Sequence, residues 1–270
     1  MKIGVFPNPN CDKDLTVAKG LISKIKELGA TPCVWKEYAE QFPDVETFSD
    51  QAINAVISLG GDGTIISVFK FCAFHNVPLL GVNMGTVGFL TETSLKGLDK
   101  ALEHLVKGKY RVYHRMLITA RQDGMAYVAL NDVAINKNAI GSAIPMSVSI
   151  GNELLGQVRA DGYIVSSPTG STAYSLSAGG PIVSPKSECM LLTPLNAHSL
   201  TSRPIVISPD EKVTIEVSGD ASLVVDGRIV APAKKVLVEK CNYDCPFVYL
   251  NSPGFYEKIK MKLVGKKEEY

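Results

Sequence analysis

The chain has 270 residues, 46% of them hydrophobic and 20% charged, with Lys+Arg 28 against Asp+Glu 27. That length and polarity suit one large or two moderate globular domains whose core needs no covalent staples, and they exclude a disordered or fibrous chain. A formal net charge of +1 gives none of the bulk electrostatic footprint of a nucleic-acid or anionic-membrane binder.

The opening residues Met1–Pro9 are broken by Pro7 too early for a secretory leader, and no run approaches the ~20 apolar residues of a membrane span. Six cysteines in a chain of this size read as reduced thiols and point to the cytoplasm. Only Cys241 and Cys245 are close, and that spacing without a second pair or a nearby His is not a zinc pattern. The four histidines show no ligand spacing either.

In chain order, Lys2–Phe6 is a short apolar run ended by Pro-Asn-Pro, which predicts a strand and a turn. Asp14–Leu28 carries Leu15, Ala18, Leu21, Ile22, Ile25 and Leu28 at helical spacing, stopped by Gly29. Thr31–Trp35, Ala55–Leu59 and Pro78–Val82 read as strands, and Ile65–Phe74 as a buried helix. This alternation predicts a parallel sheet wrapped by helices. The texture changes near Tyr110. Tyr110–Arg121, Tyr127–Lys137, Met146–Ile150, Glu153–Val158, Tyr163–Ser166, Ile205–Ile207, Lys212–Ser218, Ser222–Val225 and Lys235–Glu239 read as strands around one helical island, Ser171–Ala178. They predict a mostly β second domain. Gly254–Leu263 reads as a closing helix and Lys266–Glu269 as a frayed end.

The chemistry-bearing segments begin with Gly60-Gly61-Asp62-Gly63-Thr64, placed between a strand and a helix. Helix N-termini offer unpaired N–H groups and partial positive charge, so phosphate settles there. The pattern is neither a Walker loop nor G-x-G-x-x-G. Asp62 is the odd member, because a carboxylate repels phosphate. It fits a magnesium ligand, a base for an attacking hydroxyl, or a turn residue capping its own helix. Asn83–Leu90, with Gly85 and Gly88, forms a second glycine loop in which Phe89 is placed to flank a base. Asn131-Asp132 interrupts a β-rich run. One of the two must face the core, as a strand end or bulge or as a hydrogen-bonding pair for ligand hydroxyls. Arg159-Ala160-Asp161-Gly162 leads into Ser166–Pro181, a stretch so rich in Ser, Thr and Gly that it exceeds what a helix cap requires. Val225-Asp226-Gly227-Arg228 has the Asp-Gly signature of a type I′ hairpin.

The ordered set Gly60–Thr64, Asn131-Asp132, Asp161-Gly162 through Pro181, and His198–Val206 resembles the NAD kinase family. The glycine-aspartate loop is shared with diacylglycerol, sphingosine and 6-phosphofructokinases. The run Ser167-Pro168-Thr169-Gly170-Ser171-Thr172-Ala173-Tyr174-Ser175-Leu176-Ser177-Ala178-Gly179-Gly180-Pro181 is the more specific part.

The resemblance implies an α/β, Rossmann-like N-terminal domain over 1–108, joined by a returning tail, 247–270. It implies a β-sandwich-like, NAD-binding C-terminal domain over 109–246, with NAD between the two. The implied reaction is phosphorylation of the 2′-hydroxyl of the adenosine ribose of NAD, giving NADP. ATP or polyphosphate is the donor, with Mg²⁺ or another divalent cation. By resemblance Asp62 activates the hydroxyl, and Gly60, Gly61, Gly63 and Thr64 form the phosphate-donor loop. Gly63 also lies beside the NAD. Phe89 lies near the adenine, and Asn131 and Asp132 bind NAD hydroxyls. Arg159 and Asp161 line the nicotinamide end. Thr172, Ala173, Tyr174, Ser175, Leu176 and Ser177 hold the adenine and ribose, with Asp226 and Arg228 near the same ligand. Many family members carry Asn-Glu where this chain has Asn131-Asp132, so its carboxylate reaches about one bond less far. The family also implies a homodimer or homotetramer. A lipid kinase sharing the glycine-aspartate loop and a non-catalytic NAD(P) sensor are the alternative functions.

Overall fold

The computed structural model describes residues 1–49, 52–86, 88–139, 141–199, 202–250 and 254–264. The chain divides into two compact units, Met1–His114 with Cys245–Tyr270, and Arg115–Asp244.

The first unit is built on parallel strands β1 (Lys2–Pro7), β2 (Thr31–Trp35), β3 (Glu46–Phe48), β4 (Ala55–Gly60), β5 (Leu79–Asn83) and the two-residue β6 (Thr93–Ser94). Their order is β3-β2-β1-β4-β5, with β6 also pairing β5, and every pairing is parallel. Two helices cross between them, α1 (Thr16–Glu27) from β1 to β2 and α2 (Asp62–Phe74) from β4 to β5, and α3 (Leu98–Val106) follows β6. Both faces of such a sheet are covered. Accordingly β4 and β5 are buried at every residue, with no polar alternation. On one face Ile57, Leu59, Leu80 and Val82 pack with Leu21, Ile25, Leu102 and Leu105 of α1 and α3. The alternate face receives α2.

The α1 spacing holds as expected: Ala18, Leu21, Ile22 and Ile25 are its buried positions. Gly29 stops it at φ +75°, a left-handed conformation that costs a glycine little. Helix α3 is an addition to the sequence reading. Its Leu98, Ala101, Leu102 and Leu105 follow the same i, i+3, i+4, i+7 rule and all are buried.

The second unit is antiparallel. Its strands are β7 (Arg111–Gln122, entering from the first unit), β8 (Met125–Ala129), β9 (Asp132–Lys137), β10 (Ile144–Ile150), β11 (Glu153–Ala160), β12 (Gly162–Ser166), β13 (Met190–Leu195), β14 (Ile205–Ile207), β15 (Val213–Val217), β16 (Ala221–Val225), β17 (Arg228–Pro232) and β18 (Lys235–Tyr249). One sheet has the order β14-β13-β12-β9-β16-β17. The other contains β11-β10-β15-β18, with β7 paired to β8 and β18. Inward residues of both sheets, among them Val133, Ile135, Val165 and Leu223 against Ile118, Val148, Ile215 and Val238, form one core. The α/β plus β-sandwich class is thus as the sequence implies. Strands β13 and β17 are additions, and β18 runs on to Tyr249, past the Glu239 expected as its end. The island after β12 is a 3₁₀ turn (Thr169–Thr172) followed by the one-turn α4 (Tyr174–Ser177), and α5 (Phe255–Ile259) opens the C-terminal tail.

Leu102 is 1% exposed in the α1–α3 core. Leu102→Ala should lower the free energy of unfolding by about 2–5 kcal/mol, read by urea denaturation, because the vacated volume cannot collapse fully.

Candidate active site

In a parallel sheet, ligands gather at the carboxyl ends of strands where the order reverses. Here that place is the pair β1 and β4, since β1 leads outward to β2 while β4 leads to β5 on the other side. The two carboxyl ends are tied together. Asn8, just past β1, donates from Nδ2 to Thr64 Oγ1 at 2.9 Å, and the same hydroxyl accepts the Gly61 N–H at 3.3 Å. The turn Gly60–Thr64 is therefore a fixed scaffold. Its helix is α2, whose first residues are Asp62 and Gly63, with amides that have no preceding helical carbonyl to bond.

Asp62 does not cap its own helix, one of the three options open from sequence. Its Oδ2 accepts the Phe89 N–H at 2.8 Å and its Oδ1 the Leu90 N–H at 3.0 Å. Each oxygen keeps a lone pair for another donor. The contact demands glycine next door. A Cβ on Gly88 would lie 2.0 Å from Asp62 Oδ1. The Phe89 ring is half-buried and engaged by the tail, 6.3 Å from the Phe255 ring and 4.6 Å from Lys262 Nζ. Val87 of this loop lies outside the described residues.

In the second unit, Asn131 and Asp132 sit at the start of β9, a strand end, with Asp132 the buried member. The Asp226-Gly227 turn joins β16 to β17 with φ of +46° and +77°, the type I′ geometry expected. It turns the Asp226 carboxylate onto three backbone N–H groups, of Leu130 (2.9 Å), Asn131 (2.7 Å) and Asp132 (3.2 Å). Asp226 is thereby a scaffold for the Asn131-Asp132 corner. Arg228 is exposed beyond the same turn. From the other side, Ser167 Oγ donates to the Leu130 carbonyl at 2.6 Å, and the Ser167 N–H to the Asn131 carbonyl at 2.9 Å. Gly170 abuts Asn131 so closely that a Cβ would fall 2.0 Å from its carbonyl oxygen.

The Tyr174 amide, at the start of α4, faces the Asp132 carboxylate. Burial, then the nearby Asp226 charge, push Asp132 up from an ordinary value of 3.8 to about 7, with the Tyr174 amide opposing them. Within Thr172–Ser177, Ser175 is buried and hydrogen-bonded to Thr193 Oγ1 at 2.9 Å, so its hydroxyl is structural. Thr172 Oγ1 donates to the Thr169 carbonyl at 3.2 Å. Tyr174 and Ser177 are exposed, while Ala173 and Leu176 are half-buried.

Arg159 and Asp161 lie at the other end of β12. Gly162 pairs with Asn136 and Ser166 with Asp132, a separation of about 13 Å along the strands. There Lys137 Nζ pairs with Asp161 at 2.6 Å and Asn196 Nδ2 donates to it at 3.1 Å, and both hold its carboxyl below the usual carboxylate range. Arg159 is exposed, its carbonyl accepting the His198 N–H at 2.9 Å. Leu200 and Thr201 of the His198–Val206 segment lie outside the described residues. Within the second unit the expected residues thus fall into two groups, Asn131, Asp132 and Thr172–Ser177 toward the Ser166 end of β12, and Arg159 and Asp161 toward its Gly162 end. Sequence reasoning missed Asn8, Gly88 as the neighbour of Asp62, and Ser167 as the staple of the Asn131 corner.

The family model for the ATP-NAD kinase N-terminal domain matches residues 12–110, and that for the C-terminal domain residues 130–250. This chain belongs to the NAD kinase family. Curated family relatives include the NAD kinase of Geotalea daltonii, 36% identical over 277 aligned positions that span 97% of this chain and 98% of that one. The NAD kinase of Heliobacterium modesticaldum is 41% identical over 222 positions, 78% of each chain. Among solved structures, an Archaeoglobus fulgidus NAD kinase in complex with ATP aligns at TM-score 0.77 and 25% identity, covering 96% of this chain and 97% of that one. Yeast NADH kinase complexed with NADH aligns at TM-score 0.84 and 22% identity over 100% of this chain and 89% of that one, a likeness of fold. The lipid-kinase and sensor alternatives find no support in these matches.

Because folded Asp132 holds its proton up to about pH 7 and an unfolded aspartate releases it near 3.8, stability from this group falls as pH rises through that window and is level above it. Asp132→Asn removes the effect. Urea unfolding at pH 4.5, 6 and 8 should show the variant gaining stability over the wild type as pH rises.

Proposed function

We propose that this chain transfers the γ-phosphoryl group of ATP to the 2′-hydroxyl of the adenosine ribose of NAD, with Asp62 as the base. The observation that carries the assignment is the Asp62 carboxylate held by the Phe89 and Leu90 amides at the head of α2. A side chain fixed by two charge-assisted hydrogen bonds has little freedom left to lose on meeting a substrate. As the ribose oxygen attacks γ-phosphorus, its proton passes to Asp62 and the bond to the β-phosphate oxygen breaks, releasing ADP. The Asp62 and Gly63 amides and the partial positive charge of the α2 N-terminus receive phosphate oxygens.

In the second unit, Asn131 and Asp132 take NAD hydroxyls, with Asp226 and Ser167 keeping that corner rigid. Thr172, Ala173, Tyr174, Leu176 and Ser177 border the adenosine half, and Arg159 and Asp161 the nicotinamide half. A strand length separates the two groups, which suits an extended dinucleotide.

Magnesium fits as a partner of the nucleotide. No group of three or more His, Cys, Asp or Glu that could hold a metal occurs among the described residues. Mg²⁺ commonly binds through substrate phosphates with one or two carboxylates, and Asp62 is the carboxylate in the glycine turn. The ion would neutralise charge on the β- and γ-phosphates. Inorganic polyphosphate is a second donor to test, since the turn engages phosphate by backbone amides. No helix among the described residues is long and apolar enough to cross a membrane. Six free cysteines fit a reducing cytoplasm. A homodimer or homotetramer is in keeping with exposed Leu154 and Leu155 on β11, at the end of its sheet.

NADP formation from NAD and Mg²⁺-ATP should proceed with the wild type and fall by ~10² or more in Asp62→Asn, each protein being assayed well below its melting temperature. Near-normal turnover in that variant would remove Asp62 from the chemistry. Gly88→Ala, whose methyl group occupies the place of Asp62 Oδ1, should lower turnover by ~10-fold or more in the same assay.

A further inference from the structure

Lys258 is the buried residue of α5, only 7% exposed. A lysine is seldom that buried unless its ammonium has partners. Its Nζ donates to the Thr91 carbonyl at 2.6 Å and reaches the Phe89 carbonyl at 3.5 Å. These carbonyls belong to the segment whose N–H groups hold Asp62. The peptide joining Phe89 to Leu90 has the ammonium on its C=O side and the Asp62 carboxylate on its N–H side. Charge at one end of a peptide dipole strengthens the hydrogen bond at the other.

The remainder of the segment is anchored as well. The Glu92 N–H donates to the Gly81 carbonyl at 2.8 Å, and Glu92 Oε1 accepts the Leu250 N–H at 2.7 Å. Residues 89–92 are therefore gripped by the sheet on one side and by the C-terminal tail on the other, about 170 residues later in the chain.

We propose that Lys258 is a positioning residue for Asp62. Through the 89–91 carbonyls it fixes the two amides that orient the carboxylate, so the C-terminal tail is part of the catalytic apparatus and not only a cover for the sheet. The proposal rests on the assignment of Asp62 as the base. A displacement of about 1 Å in a catalytic group costs up to 10²-fold in rate, so loss of one anchor is measurable.

The test is a double-mutant cycle on NADP formation, with wild type, Lys258→Met, Asp62→Asn and the double variant assayed well below their melting temperatures. Lys258→Met should lower kcat by ~10-fold or more, with the KM values for NAD and ATP changed less than about threefold, and should lower kcat less than about twofold once Asp62 is already Asn. A structural lysine would instead cost the same factor in both backgrounds, and that result overturns the proposal, as does an unchanged kcat in Lys258→Met. Should Lys258→Met fail to fold, Lys258→Gln keeps a donor without the charge and is put through the same cycle, with a loss of about three- to fivefold expected only where Asp62 is present. If Asp62→Asn itself turns over normally, it is the assignment of Asp62 that fails. If Asp62→Asn is impaired and the Lys258 variants are not, it is the role of Lys258 that fails.

Discussion

Two backbone amides on one carboxylate organise the first unit. Asp62 heads α2, where the amides of a glycine turn are arranged for anions. An unrestrained carboxylate there would either fold back onto those amides or swing into solvent. The Phe89 and Leu90 N–H groups prevent both. Their cost is steric, since the chain can pass that close to the carboxylate only at a residue without a side chain, which is Gly88. The loop after β5 and the turn after β4 are consequently one device, reinforced from β1 by Asn8.

The second unit solves the same kind of problem by another route. Its corner at Asn131-Asp132 opens β9 with two poor strand formers and buries a carboxylate. A buried acid next to a second acid is expensive, and the displacement of Asp132 toward neutrality records that. Asp226 offsets part of that cost by accepting three backbone donors of the turn into β9. The hydroxyl-rich run serves the same corner, with Ser167 and Gly170 pressed onto the Asn131 backbone and the Tyr174 amide aimed at Asp132. Much of what looks in the sequence like ligand-binding polarity is therefore internal wiring. Ser175 and Asp226 belong to this class, while Tyr174, Ser177 and Arg159 remain exposed.

Architecture was legible wherever local pattern and burial agree. The continuous apolar runs of β4 and β5, the period of α1 and the Asp-Gly turn each follow from short-range rules. Strand β13 escaped notice because Met190-Leu191-Leu192-Thr193-Pro194-Leu195 has a proline inside it and no alternation. Helix α3 is not among the expected elements, although its nine residues carry a regular apolar period. At the site, the residue types were legible as an ordered set, but their partners were not. Nothing near Asp62 in the sequence announces Phe89 and Leu90, 27 and 28 residues on, and nothing announces Lys258. Such contacts are products of parallel topology, which brings distant strand ends together.

The most direct examination of the central claim is a crystal structure of the protein with NAD bound. The account requires the 2′-oxygen of the adenosine ribose within about 3 Å of an Asp62 oxygen while the Phe89 and Leu90 amides keep their hold on the carboxylate. A ribose bound elsewhere, with Asp62 facing open water, would contradict it.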